Sequence, residues 1–209
     1  SEKIIVQYVR TNSTDINSRW LEASLIDEKN FIALNSTSFI SKKEPNYEIK
    51  WLLPILSSWL LNFYYKAHYT DVNVKPLYLG ELPIPNSLEH ADELIKLTDI
   101  IIELNKELRK KSKSFTEFII SKFNLIELSN KLTEWYKLEF STLLSEFKKL
   151  GISLSLKDEV EWQEYFNLNK AEIIVIRNEI EKIDKQIDRF VYSLYNLTEE
   201  EIKIVEQNI

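Results

Sequence analysis

Leu94-Ile95-Lys96-Leu97-Thr98-Asp99-Ile100-Ile101-Ile102-Glu103-Leu104-Asn105-Lys106-Glu107-Leu108 decides how the second half of this chain folds. Leu94, Leu97, Ile101, Leu104 and Leu108 recur at alternating steps of three and four, the seam by which one helix packs along another. Such a helix needs a partner, because helical stability in water comes mostly from packing an apolar face. Ile176, Ile180, Ile183, Ile187 and Leu194 repeat in the same way, with Phe190 and Val191 between the last two. Pairing the two segments with each other is the economical solution and predicts a long antiparallel helix pair. Between them Leu128, Leu132, Tyr136, Phe140, Leu143 and Phe147 form another stripe, stopped at Gly151, a natural left-handed cap. Ser155 with Asp158 restarts a helix through Val160, Trp162 and Phe166. Asn196 stands in for a capping glycine, and Thr198 with Glu201 forms a capping box for a last short helix.

Upstream the pattern changes. Ile4 to Val9, Trp20 to Ile26 and Phe31 to Ile40 are short apolar runs separated by turn-forming residues, which predicts three strands. The segment Thr11 to Ser18 is a loop by composition. Asn46 can cap a helix running from Trp51 to Phe63, with Pro54 either kinking it or marking its first turn. Val72 to Leu79 reads as extended, and the alternate prolines Pro83 and Pro85 make a rigid exit before Ser87, which is placed to cap the next helix. The fold class is therefore α+β: a small β-containing part over residues 1–86, followed by a mainly helical part over 87–209.

Composition narrows the function. The 209 residues contain no cysteine, only two glycines and 44% hydrophobic side chains, and carry a net charge of −6. Cysteine chemistry and thiolate metal sites are excluded, and the balance is that of a folded, cytoplasmic protein. The longest apolar stretch, Trp51 to Tyr65, is interrupted by Pro54, Ser57, Ser58 and Asn62 and falls short of the ~20 residues of a membrane span. No secretion signal opens the chain, and Ser1 in place of a starting methionine fits a piece of a longer protein or a processed one. Up to Asn86 acidic and basic residues balance, so the acidic excess belongs wholly to the second part.

Three phrases, in order, carry a resemblance. They are Leu52 to Tyr65 with its core Trp59-Leu60-Leu61-Asn62-Phe63-Tyr64-Tyr65; Val74 to Pro85; and Leu154 to Ile202, including Ile183-Asp184-Lys185-Gln186-Ile187-Asp188 and Val191-Tyr192-Ser193-Leu194-Tyr195-Asn196-Leu197-Thr198-Glu199-Glu200-Glu201-Ile202. Together they resemble the C-terminal specificity region of class IIG restriction-modification enzymes and related adenine-N6 DNA methyltransferases. Pro54, Asn196 and a longer loop after Arg10 depart from the family's pattern. The resemblance implies a module that binds duplex DNA and positions it for a methyltransferase domain elsewhere in the parent chain. S-adenosylmethionine, and Mg²⁺ if the parent cuts, would be that parent's cofactors, with none in this chain. Catalysis is expected to be absent here, since the chain has neither a glycine-bearing cofactor turn nor an Asn-Pro-Pro-aromatic motif for a flipped adenine.

DNA readers place cationic and amide side chains where they reach phosphates and base edges. Arg10, Thr11, Asn12, Ser13, Asn17 and Arg19 satisfy this by type, as do Lys42, Lys43 and Lys75. Read alone, Arg10 to Arg19 is an ordinary polar loop; the resemblance turns it into a DNA contact. Lys106 to Lys149 holds ten basic residues against six glutamates, which reads as a solvated face with phosphate contact as the alternative. Asp27, Glu48 and Lys50 offer a nuclease-like combination, but so short a pattern recurs by accident in Lys/Glu-rich chains. His68 and His90 share no motif, and no metal site is predicted; Trp51, Trp59, Trp135 and Trp162 lie on apolar stripes and belong to packing. The competing reading is a helical module that docks a partner subunit or dimerises without touching DNA.

Overall fold

The computed structural model describes residues 2–8, 19–27, 36–41, 48–69, 71 and 73–208. Three antiparallel strands make a small sheet: β1 (Glu2–Gln7) lies between β2 (Ala23–Asp27) and β3 (Thr37–Ser41). Ile4 faces Leu25 and Ile40 across the two ladders, and Val6 faces Ala23 and Ser38. Ile4 and Val6 are fully buried while their neighbours are not, the period-two signature of a sheet with one face on a core. The second strand begins three residues later than Trp20, because the backbone at Trp20 and Leu21 hydrogen-bonds to a side chain instead of a strand.

The helix expected from Trp51 to Phe63 is two. A 3-10 turn at Ile49–Trp51 leads into α1 (Leu52–Ser57), and α2 (Trp59–His68) follows. Pro54 lies in the first turn of α1 and breaks nothing. The break falls at Ser58, which adopts an extended ψ of 155°. Its hydroxyl donates to the Ile55 carbonyl at 2.7 Å and accepts the Leu61 N–H at 3.2 Å, so it ends one helix and caps the next. The extended stretch expected over Val72–Leu79 is corrected too. Among the described residues, 73–79, a single bridge forms at Asn73, and α3 (Pro76–Gly80) is helical, with the fixed φ of Pro76 suited to its first position.

Downstream lie α4 (Ala91–Phe123), α5 (Asn130–Thr133), a 3-10 turn at Trp135–Lys137, α6 (Phe140–Lys149), α7 (Leu156–Leu194) and α8 (Glu199–Gln207). The stripe from Leu128 to Phe147 is not one helix. The chain bends to bury Trp135 completely, its indole stacked 3.7 Å from Phe115 and donating to the Ser112 carbonyl at 3.2 Å. Conversely, the segments around Trp162 and Ile183 are parts of one 39-residue helix. Gly151 takes φ +78° and Asn196 φ +54°, both the left-handed geometry expected of them. The box at Thr198 is complete, and Ser155 with Asp158 builds its counterpart before α7. Ser87 accepts from the Glu89 N–H in a turn ahead of α4, which begins only after His90 at φ +59°.

Two compact units result, Ser1–Asp99 with Ile183–Ile209, and Ile100–Lys182. The first buries Ile4, Val6, Leu21, Ile55, Leu61 and Tyr65. The second is built on an aromatic core of Phe115, Trp135, Phe147, Trp162 and Phe166 with Ile119, Leu132, Leu143 and Ile173. Within it α4 and α7 run antiparallel: Lys111 meets Glu172, Phe115 meets Phe166, and Phe123 meets Trp162.

Candidate nucleic-acid interface

The segment that carries the chain into β2 is held from two directions. Asn62, fully buried within α2, accepts the N–H of Trp20 at 2.6 Å and of Leu21 at 2.8 Å through its Oδ1. Its amide nitrogen donates to the carbonyls of Ser58 at 2.8 Å and Leu56 at 3.4 Å. An amide side chain has two donors and an acceptor oxygen, and here every one is used.

Arg19 supplies the second fixing. Its guanidinium lies 4.7 Å from the ring centroid of Trp59, and its two terminal nitrogens each reach an Asp184 oxygen at 3.4 Å. Asp188 stands behind, 3.9 Å from Arg19, and its other oxygen accepts the Trp59 N–H at 2.9 Å. A carboxylate at the N-terminus of α2 is favoured by the exposed amides there. Burial nevertheless pushes the Asp188 carboxyl up to about 6; the Trp59 N–H and Arg19 pull it down, while Asp184 and Glu206 push the same way as burial. Tyr192, beside this group, is buried and raised by the same desolvation. In the same unit the Tyr195 hydroxyl donates to the Pro83 carbonyl at 2.6 Å.

Of the residues expected to touch DNA, Arg19 and Lys75 are described; Arg10, Thr11, Asn12, Ser13, Asn17, Lys42 and Lys43 lie outside the described residues. Arg19 is engaged as above. Lys75 contacts Asp71 at 2.6 Å, and the Tyr78 hydroxyl donates to the same oxygen at 2.6 Å. That pairing raises the lysine and lowers the aspartate. Beside it Tyr78 stacks on Tyr69 at 4.3 Å, whose hydroxyl donates to Glu81.

The other candidates take structural roles. Lys50 is paired with Asp99 at 3.2 Å and with Glu2 at 3.8 Å. The ring of His68 stacks on Tyr64, and His90 packs near Phe190. Trp51, Trp135 and Trp162 are buried, as their stripes implied. Among the described residues no group of three or more His, Cys, Asp or Glu side chains could hold a metal ion, and no helix is long and apolar enough to cross a membrane. Nor do the residues suit S-adenosylmethionine: one glycine, Gly151, caps a helix end, and the other, Gly80, closes the short α3.

Asn62, Asp184 and Asp188 were not singled out from the sequence. The available signal was a polar residue set among apolar ones, Asn62 inside Trp59–Phe63 and Asp188 beside Ile187. All three lie in the phrases that carry the resemblance, and so do Pro83 and Tyr195. Those phrases mark where distant pieces of the first unit are fastened together.

Two family models match the chain, and their bounds differ from those of the compact units. Residues 1–84 match the TaqI-like C-terminal specificity domain, and residues 87–191, half of the chain, match a family described as Domain of unknown function (DUF8810). No curated protein and no solved structure matches the chain. The chain therefore belongs to the family described as Domain of unknown function (DUF8810), and in it that domain is preceded by a TaqI-like C-terminal specificity domain.

Proposed function

We propose that this chain binds duplex DNA and selects the sequence that a separate methyltransferase domain of the same parent, an adenine-N6 enzyme, modifies. The match of residues 1–84 to a specificity domain carries the reading. Arg10, Thr11, Asn12, Ser13, Asn17, Lys42, Lys43 and Lys75 supply contacts to phosphates and base edges. Arg19 contributes at the loop's downstream end, where Asp184, Asp188 and Trp59 hold its guanidinium. The chain performs no chemistry of its own, and S-adenosylmethionine belongs to the parent's other domain.

Binding titrations of the full chain on duplex DNA at several salt concentrations test this. Affinity falls with salt, and neutralising Arg10 makes that slope shallower by roughly 1, the share of one phosphate contact. If Arg10 reads a guanine edge instead, its loss relaxes preference at one base pair by roughly 1–3 kcal/mol. No binding to any duplex at low salt sinks the proposal. A second reading, association through the helices, is favoured by Leu168 and Val175, one heptad apart on α7 and both more than 60% exposed. Sedimentation across a concentration series decides it.

A further inference from the structure

One face of α4 in the second unit is not explained by packing. Arg109, Ser112, Lys113, Thr116 and Ile120 follow the spacing that aligns side chains along a helix, and all line an open groove of about 510 Å³. Leu108 and Leu128 give it an apolar lining, and Tyr136 lines it as well. The Arg177 guanidinium, which does not line the groove, lies 5.8 Å from the Tyr136 ring centroid.

The cations along α4 are unevenly paired. Lys106 and Lys111, which do not line it, are matched by Glu103 and Glu172 at 2.7 Å each. Among the described residues no carboxylate pairs with Arg109 or Arg177. Lys113 shares only an exposed contact with Glu117 at 3.3 Å, an interaction weak enough to be exchanged for a phosphate. In a chain with a net charge of −6, an Arg109 without a carboxylate partner and a Lys113 with a weak one suit an anionic occupant from outside.

The hydroxyls refine the occupant. Thr116 donates to the Lys113 carbonyl and Thr133 to the Asn130 carbonyl, which leaves Arg109, Lys113, Ser112 and Tyr136 as the lining side chains that can donate into the groove. Arg109 and Lys113 are one turn apart, ~6 Å along the helix axis, a length over which a DNA strand presents roughly two phosphates. Apolar surface between cations suits the sugars that join them.

We infer that this groove is a second DNA contact, a sequence-independent seat for the sugar-phosphate backbone of the duplex whose bases the first unit reads. It rests on the DNA-binding reading above. The seat adds affinity and salt dependence without adding sequence preference, because phosphates carry no base information.

The test uses the full chain, a duplex of random sequence, and salt-dependent binding titrations. Three proteins are compared: wild type, Arg109→Gln/Lys113→Gln, and Lys157→Gln/Lys203→Gln, which removes the same charge at exposed positions outside the groove. The groove variant is expected to bind more weakly, with a log–log salt slope shallower by roughly 2, at about 0.9 per lost phosphate contact. Its helical signal and melting temperature should match wild type, since both side chains are exposed. A wild type that binds while the groove variant keeps the full slope overturns the groove alone. Equal losses in the control variant overturn it as well, by showing a general charge effect. Displacement of the DNA by polyglutamate as readily as by a second duplex assigns the groove to acidic protein instead. No binding by wild type at low salt overturns the DNA reading and the groove with it.

Discussion

Asp188 meets two demands that conflict. Its carboxylate holds the first N–H of α2 and faces Arg19, yet it is buried beside a second carboxylate, Asp184, with Glu206 opposing its charge and the Tyr192 ring adjoining. Burial wins, so its pKa is about 6 against 3.8 for the free side chain. For an acid raised on folding, the folded state binds the proton more tightly. Its contribution to stability is then complete below the unfolded value and lost as pH rises through the folded one. A displacement of this size is equivalent to ~3 kcal/mol between the two protonation states. Asp188→Asn keeps an acceptor for the Trp59 N–H but cannot titrate. The stability of wild type relative to this variant should therefore rise by up to ~3 kcal/mol between about pH 7 and pH 4, measured by denaturant melts at each pH. Parallel pH profiles would refute the assignment. Asn62 is the neutral counterpart. Asn62→Ala takes the acceptor from the buried Leu21 N–H and the part-buried Trp20 N–H and should cost roughly 2–6 kcal/mol, at ~1–3 kcal/mol for each donor. Neither residue stood out in the sequence, because the N–H that Asp188 accepts lies 129 residues away at Trp59 and those that the Asn62 oxygen accepts lie 41 and 42 residues away. A side chain whose purpose is set by so distant a backbone leaves no periodic trace.

Helix ends, in contrast, are local, and the sequence revealed them. Gly151, Asn196, Thr198 and Ser155 all terminate or start helices as their chemistry demands, because a cap is decided within four residues. The breaks it hid have long-range or competing causes. Ser58 rather than Pro54 divides α1 from α2, since proline is acceptable in a first turn and a serine hydroxyl can serve both ends. The stripe Leu128–Phe147 bends because Trp135 is drawn against Phe115 and Phe166, residues on two other helices. The two left-handed caps give a matched pair of predictions. A Cβ on Gly151 would meet nothing within 4 Å, so Gly151→Ala tests backbone strain alone and should destabilise by ~1 kcal/mol. Asn196→Gly relieves the same strain and should stabilise by a similar ~1 kcal/mol. Thermal melts of both variants check this, and equal shifts of the same sign would show that something other than φ governs these positions.

At the scale of the molecule, the specificity-domain match ends at residue 84, but the unit that contains it does not. Ile183–Ile209 returns to complete that unit, bringing Asp184 and Asp188 to Arg19 and the Tyr195 hydroxyl to the Pro83 carbonyl. Ile183, Ile187 and Val191 are all buried. Periodicity had assigned these residues to a helical seam, and they do lie on one; it could not show that the same helix contributes to both compact units, since a stripe records that a face is covered and not by what. The consequence is testable by truncation. A chain ending at Lys182 keeps every residue of the specificity match and the whole of the second unit, Ile100–Lys182. It loses five buried apolar side chains, Ile183, Ile187, Val191, Tyr192 and Val205, at ~1.5–3 kcal/mol each together with both carboxylates that hold Arg19. That loss is comparable with the whole reserve of a typical domain, ~5–15 kcal/mol. The truncated protein should retain the fluorescence of a buried Trp135 and Trp162 core while hydrogen exchange over β1–β3 and α2 loses its protection. It should also lose sequence-selective DNA binding, whereas the salt-dependent contact at Arg109 and Lys113 persists. Protected strands in the truncated chain would show that residues 1–99 hold together without the end of α7 beyond Lys182 and without α8, and that the pairing of Arg19 with Asp184 and Asp188 is dispensable to the fold.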